Sequence, residues 1–161
     1  MYKSFYSLAK DPFSKDIHPS DAFLSKDYQS TLAALNYLKS SKGIGLLIGE
    51  PGAGKTFTLR CFKESLNPAL FHAIYFPLST GSVMDFYRGL AFGLGEEPKF
   101  RKVDLFRQIQ NGIERMATER KITPVFILDE MHMAKDAFLQ DLALLFNFEM
   151  DSVNPFILVL S

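Results

Sequence analysis

At 161 residues, with 47% hydrophobic and 22% charged side chains, the chain has the size of one globular domain with a substantial core and is too short for two. Its 18 basic residues balance 18 acidic ones, so net charge makes no case for a polyanionic partner. The lone cysteine, Cys61, excludes an internal disulfide, no run approaches the roughly 20 apolar residues of a spanning helix, and the N-terminus lacks the apolar core of a secretion signal, so a cytoplasmic location is expected.

Residues 1–24 are punctuated by Pro12, Pro19 and several Asp and Ser, which predicts an irregular lead-in. Residues 25–43 place Tyr28, Leu32, Leu35 and Leu38 at helical spacing, with Ser25 as N-cap and Gly43 as the stop. The apolar run 43–49 reads as a first strand. Residues 55–66, with Leu59, Phe62 and Leu66 on one side, read as the helix behind it, and Cys61 within it reads as a packing residue. After a turn at Asn67 and Pro68, residues 71–77 read as a second, buried strand.

A helix is predicted over about 82–94, then a linker at 95–102 and a helix over 103–121 that aligns Leu105, Ile109, Ile113 and Met116. A third strand is expected at 124–130, a helix at 134–150 and a fourth strand at 154–161. Apolar strands without period-2 alternation, separated by helices, predict an α/β fold with a parallel sheet covered on both faces.

Between the first strand and its helix stands "GEPGAGKT", residues 49–56, which matches G-x-x-x-x-G-K-[ST] at every fixed position and in the required strand–loop–helix context. Gly49, Gly52 and Gly54 permit the backbone turns that point successive N–H groups inward, and the helix N-terminus behind adds partial positive charge. The phosphate-binding set is therefore Gly49, Glu50, Pro51, Gly52, Ala53, Gly54, Lys55, Thr56 and Phe57. Within it, Lys55 is expected to act on the β and γ phosphates of ATP and Thr56 to offer its hydroxyl to Mg²⁺.

The third strand ends in "VFILDEMHMAK", residues 125–135. Taken alone, Asp129, Glu130 and His132 allow a metal site, a helicase box or the magnesium and water end of a nucleotide hydrolase. His18, His72 and His132 are scattered without zinc-type spacing, and the chain has no room for a second motor domain. With the phosphate loop upstream, Asp129 is expected to be the second metal contact and Glu130 to polarise the attacking water, so Glu130 and Lys55 are the expected catalytic residues. His132 is expected to be a surface or packing histidine. Arg101, Lys102, Arg107, Arg115, Arg120 and Lys121 read either as a solvated helix face or as DNA contacts; Arg101 and Lys102, unopposed at the helix start, are the better DNA candidates.

On these residues the chain resembles the AAA+ superfamily, and in particular the group of ExeA-like secretion ATPases and TniB- and TnsC-like transposon ATPases. "YSLAKDPFSKDIHPSDAFLSKDYQSTLAAL" is similar to that group's lead-in, "LLIGEPGAGKTFTLR" to its Walker A and "PVFILDEMHMA" to its Walker B. The resemblance implies a P-loop NTPase three-layer sandwich, with residues 1–42 bordering the nucleotide site and 43–161 forming the ATPase core of one structural domain. It implies an Mg²⁺-dependent ATPase that assembles as a homo-oligomeric ring or filament, with Pro12, Phe13 and Phe23 as candidates for the adenine side. Ser161 would lie at or just before the sensor-1 position. The pattern of the superfamily continues with a fifth strand, a helical lid and an arginine beyond this point, so a front part of an ATPase with weak hydrolysis of its own is expected. The implied role is a DNA-binding regulatory ATPase of a transposable element working with a transposase; the alternatives are a general secretion pathway ATPase, a helicase loader and a non-hydrolysing nucleotide-binding module.

Overall fold

A computed structural model of the chain describes residues 2–9, 11, 14, 17–77, 82–148 and 152–161. Strands β1 (Gly43–Leu46), β2 (Phe71–Pro77), β3 (Thr123–Asp129) and β4 (Ile157–Leu160) form one parallel sheet in the order β1-β4-β3-β2. Helices α1 (Tyr2–Phe5), α2 (Lys26–Ser41), α3 (Lys55–Glu64), α4 (Val83–Gly93), α5 (Lys102–Thr118) and α6 (Asp136–Leu145) complete the described elements. The fold is the parallel α/β sandwich that the strand–helix alternation predicts.

The sheet has two apolar faces because β3 and β4 are central. Val125, Ile127, Ile157 and Val159 pack with Leu35 of α2 and Leu59 and Phe62 of α3. Phe126, Leu128 and Leu158 pack instead with residues of α4, α5 and α6, among them Leu90, Leu105, Ile109, Ile113 and Leu142. Every residue of β3 is buried, as its unbroken apolar run requires of a strand covered on both faces.

The helix boundaries follow local chemistry. Ser25 caps α2 by accepting from the Tyr28 backbone N–H at 3.2 Å. Ser82 and Asp85 form a reciprocal capping box at the start of α4, and the resulting hydrogen bonds hold the Asp85 carboxyl below its ordinary pKa.

Several expectations need correction. The strand at 71–77 is not interior: β2 lies at the sheet's edge, and Ile74 alone among its residues is fully buried. Its apolar run resembles that of β3, and lateral strand order is not written in such a run. Helix α2 stops one residue earlier than expected, with Lys42 taking the positive φ of 57° and Gly43 opening β1. The first strand is shorter than 43–49. Within the expected irregular lead-in, α1 and a 3-10 turn at Pro19–Asp21 are formed.

The last helix ends at Leu145 rather than near 150. Phe146 and Phe148 both reach the core, with ring centroids 4.8 Å and 5.5 Å from Phe156. Residues two apart cannot share a helix face, so the chain leaves the helix to bury both rings. The Gln110 side-chain amide donates to the Leu145 carbonyl that the helix end leaves free, and to the Asn147 carbonyl just beyond it. No helix among the described residues is long and apolar enough to cross a membrane.

Candidate functional site

A cleft of about 790 Å³ opens at the C-terminal end of the sheet, between the β1–α3 loop and the segment that follows β3. Crevices at the carboxyl ends of parallel strands are where α/β sheets collect loop backbone and helix N-termini. Gly49, Pro51, Gly52, Gly54, Lys55, Thr56 and Phe57 line one side, and Asp129, Glu130, Met131, His132 and Ser161 the other. Glu50 and Ala53 belong to the same loop without lining the cleft; the Glu50 carbonyl accepts from the Ala53 N–H at 3.2 Å, which closes the turn.

The loop's shape depends on glycine. Gly52 and Gly54 have φ of 82° and 83°, in the left-handed region that side chains with a Cβ disfavour, and Gly54 is the N-cap of α3. Behind them α3 presents its N-terminal amides toward the cleft, a fixed partial positive charge suited to an anion. The Lys55 ammonium folds across the loop and donates to the carbonyls of Gly49 at 2.8 Å and Glu50 at 3.1 Å. Phe57 carries the Arg60 guanidinium over its ring at 5.1 Å and lies 6.1 Å from the Tyr28 ring, which ties the start of α3 to α2.

Asp129 ends β3 and is only 3% exposed. Its Oδ2 accepts from the Thr56 hydroxyl at 2.8 Å and from the Tyr75 hydroxyl at 3.2 Å, and its Oδ1 accepts from the Glu130 N–H at 3.0 Å. All these donors are neutral, and no cation among the described residues pairs with it. A buried carboxylate without an opposite charge is costly unless something cationic joins it. Oxygen donors from a threonine and an aspartate suit a hard divalent ion such as Mg²⁺, completed by phosphate and water oxygens. Among the described residues no cluster of three or more His, Cys, Asp or Glu stands ready to hold a metal by itself.

Glu130 follows with φ of 63°, an αL residue that turns the chain sharply out of the strand. That turn brings its carboxylate to the cleft mouth, where Oε2 lies 3.2 Å from His132 Nδ1. His132 is on the surface, as expected, but it faces Glu130 rather than standing apart. Ser161 sits on the same wall; its backbone pairs with Leu128 and Met131, and its Oγ is buried without a hydrogen-bond partner.

Tyr75 was missed by pattern reading, which treats it as one more apolar residue of a strand. Burial first, then the charges of Asp129 and Glu130, push its phenol above the ordinary pKa, so it stays a hydrogen-bond donor. Phe23 is exposed, and Pro12 and Phe13 lie outside the described residues. Arg101 and Lys102 are not among the residues lining the cleft. Lys102 is not unopposed, because its Nζ binds both carboxylate oxygens of Asp141, at 2.6 Å and 2.9 Å.

A family model described as an AAA domain matches residues 38–161. General secretion pathway protein A of Aeromonas hydrophila is 40% identical over 67 residues, covering 41% of this chain and 12% of that protein. The crystal structure of Cdc6p from Pyrobaculum aerophilum superposes with a TM-score of 0.62 over 98% of this chain and 42% of its own, at 20% identity, a likeness of fold. The chain thus spans a minor part of the length of each protein it resembles.

Proposed function

The chain belongs to the AAA domain family, and from that premise we propose that it binds ATP in the cleft between the β1–α3 loop and the end of β3 and hydrolyses it to ADP and phosphate. The observation that carries this reading is the hydrogen bond from Thr56 to Asp129, a buried carboxylate with no cationic partner among the described residues. A donor hydroxyl turned toward Asp129 leaves the lone pairs of the Thr56 oxygen available to a cation. In this reading the loop amides of residues 49–57 cradle the phosphates, and Lys55 leaves its own loop carbonyls to bind the terminal ones. Thr56 and Asp129 hold Mg²⁺, which supplies neutralising charge to the phosphate oxygens when bound. Glu130, at the cleft mouth, orients and polarises the water. Residues 1–42 serve as the lead-in bordering the site, and 43–161 as the core.

The test is calorimetric titration of the purified chain with ATP, with and without Mg²⁺, beside an assay of released phosphate. Magnesium-enhanced binding is expected; ATP affinity indifferent to both Mg²⁺ and Asp129→Asn would overturn the assignment.

For the biological setting, the match to general secretion pathway protein A favours a secretion role, in which this chain would turn over nucleotide as part of a homo-oligomer. The other setting, regulation of a transposable element through DNA and a transposase, rests on the basic residues at the start of α5, of which Lys102 is already paired with Asp141. Binding of duplex DNA measured with ATP, with ADP and without nucleotide separates the two. A nucleotide-gated response favours the transposition setting, and its absence the secretion one.

A further inference from the structure

The Asp129 carboxylate has two unequal oxygens. Oδ2 receives both the Thr56 and the Tyr75 hydroxyls, whereas Oδ1 receives only the Glu130 N–H. A carboxylate oxygen accepts along two lone-pair directions, so Oδ2 is filled and Oδ1 keeps one direction open. Tyr75 reaches this position through strand register. It is paired with Ile127, so both point to the face of the sheet where α3 lies, and Asp129, two residues on, points the same way. The Lys63 ammonium of α3 lies over the ring, 6.0 Å from its centroid.

We propose that Tyr75 is a positioning residue for the divalent cation: by filling the second lone pair of Oδ2 it fixes the Asp129 carboxylate so that Oδ1 presents its free lone pair to the ion. The proposal rests on the reading of Asp129 as a cation-holding group and assigns to β2, an edge strand with no residue in the phosphate loop, a part in that site. Without the phenol oxygen, Oδ2 is held by Thr56 alone. The carboxylate then rotates more freely, and both oxygens compete for the ion's water shell.

The experiment titrates Mn²⁺ into the full chain saturated with ADP, followed by electron paramagnetic resonance, for the wild type, Tyr75→Phe and Asp129→Asn. Tyr75→Phe keeps the ring on Lys63 and removes one oxygen. It is expected to weaken Mn²⁺ binding by about tenfold, the low end of the scale of a hydrogen bond to a charged acceptor, and to alter the signal of the bound ion. ADP affinity in excess chelator stays at its wild-type value, because it does not depend on the ion. Wild-type Mn²⁺ affinity in Tyr75→Phe overturns the proposal, and so does an equal loss of ADP affinity in chelator, which would make the residue a support of the loop instead. If Asp129→Asn also leaves Mn²⁺ affinity intact, the cation reading of Asp129 itself falls, a failure distinct from that of Tyr75 alone.

Discussion

His132 Nδ1 stands 3.2 Å from Glu130 Oε2 at the mouth of the cleft, with their side chains 71% and 55% exposed. A contact in that much water is worth about 0–1 kcal/mol at most whether or not the imidazole is charged, so it does not pin the glutamate. Glu130 is therefore free to turn toward a water molecule, whereas the imidazole is dispensable. Glu130→Gln is expected to keep Mg-ATP affinity and lose about a hundredfold in phosphate release, the scale of one general base. His132→Ala should change release by about threefold or less. Steady-state phosphate release beside calorimetry checks both, and unchanged hydrolysis in Glu130→Gln would place the base elsewhere.

Lys55 is held by the Gly49 and Glu50 carbonyls, contacts that a phosphate group outbids because a charged acceptor binds an ammonium more strongly than a neutral carbonyl does. Lys55→Ala should weaken ATP binding by about a hundredfold, the upper range for a lost charge-assisted hydrogen bond, while AMP, without the β and γ phosphates, is less affected. Equal ATP affinity in wild type and variant by calorimetry would refute the role of the loop.

What was legible in the sequence follows from how far each feature reaches along the chain. The phosphate loop is contiguous, and its glycines are demanded by backbone torsion, so Gly52 and Gly54 mark it without a structure. Asp129 was legible because an unbroken apolar run must end at the rim of a parallel sheet. Tyr75 was not, since its role exists only because β2 lies beside β3 in a register that carries its hydroxyl to Asp129, and neither neighbour nor register is written in the run 71–77. The Lys102–Asp141 pair escaped for the same reason, its partners lying on separate helices. Phe146 and Phe148 misled the helix boundary because apolar residues two apart look like core in any element.

That ion pair changes the expectation for DNA. Lys102 donates to Asp141 and lies 5.7 Å from the centre of the Tyr87 ring, while Arg101, the N-cap of α5, stays exposed. Burial pushes the Tyr87 phenol up to about 12, so no tyrosinate joins Asp141 as a second counter-charge at neutral pH. If the start of α5 meets duplex phosphates, Arg101→Ala should lower the slope of log affinity against log salt by about 0.9, and Lys102→Ala by much less. Filter binding with ATP across a salt series reads this, and an unchanged slope in Arg101→Ala leaves the DNA reading without a contact.

The last prediction concerns the edge strand that carries Tyr75. Helix α4 packs on β2 through Gly89 and Gly93, four residues apart and so on one helix face. A Cβ at Gly93 would lie 2.7 Å from Ile74 Cγ2, and one at Gly89 would overlap the Phe76 ring outright. Phe76 cannot simply swing aside, because Phe86 meets it edge to face at a centroid distance of 5.2 Å. Helix propensity favours alanine over glycine by about 1 kcal/mol, but overpacking a fitted contact costs about 1–3 kcal/mol, so the clash wins. Gly89→Ala should lower stability by about 1 kcal/mol, seen as a lower urea midpoint with an unchanged slope. Adding Phe76→Leu, which shortens the opposing side chain, should restore part of the loss. A midpoint that rises, as propensity alone dictates, would mean that α4 and β2 do not approach this closely. Because Phe76 is next to Tyr75, the same substitution should also weaken Mn²⁺ binding, coupling the packing of α4 to the carboxylate at the end of β3.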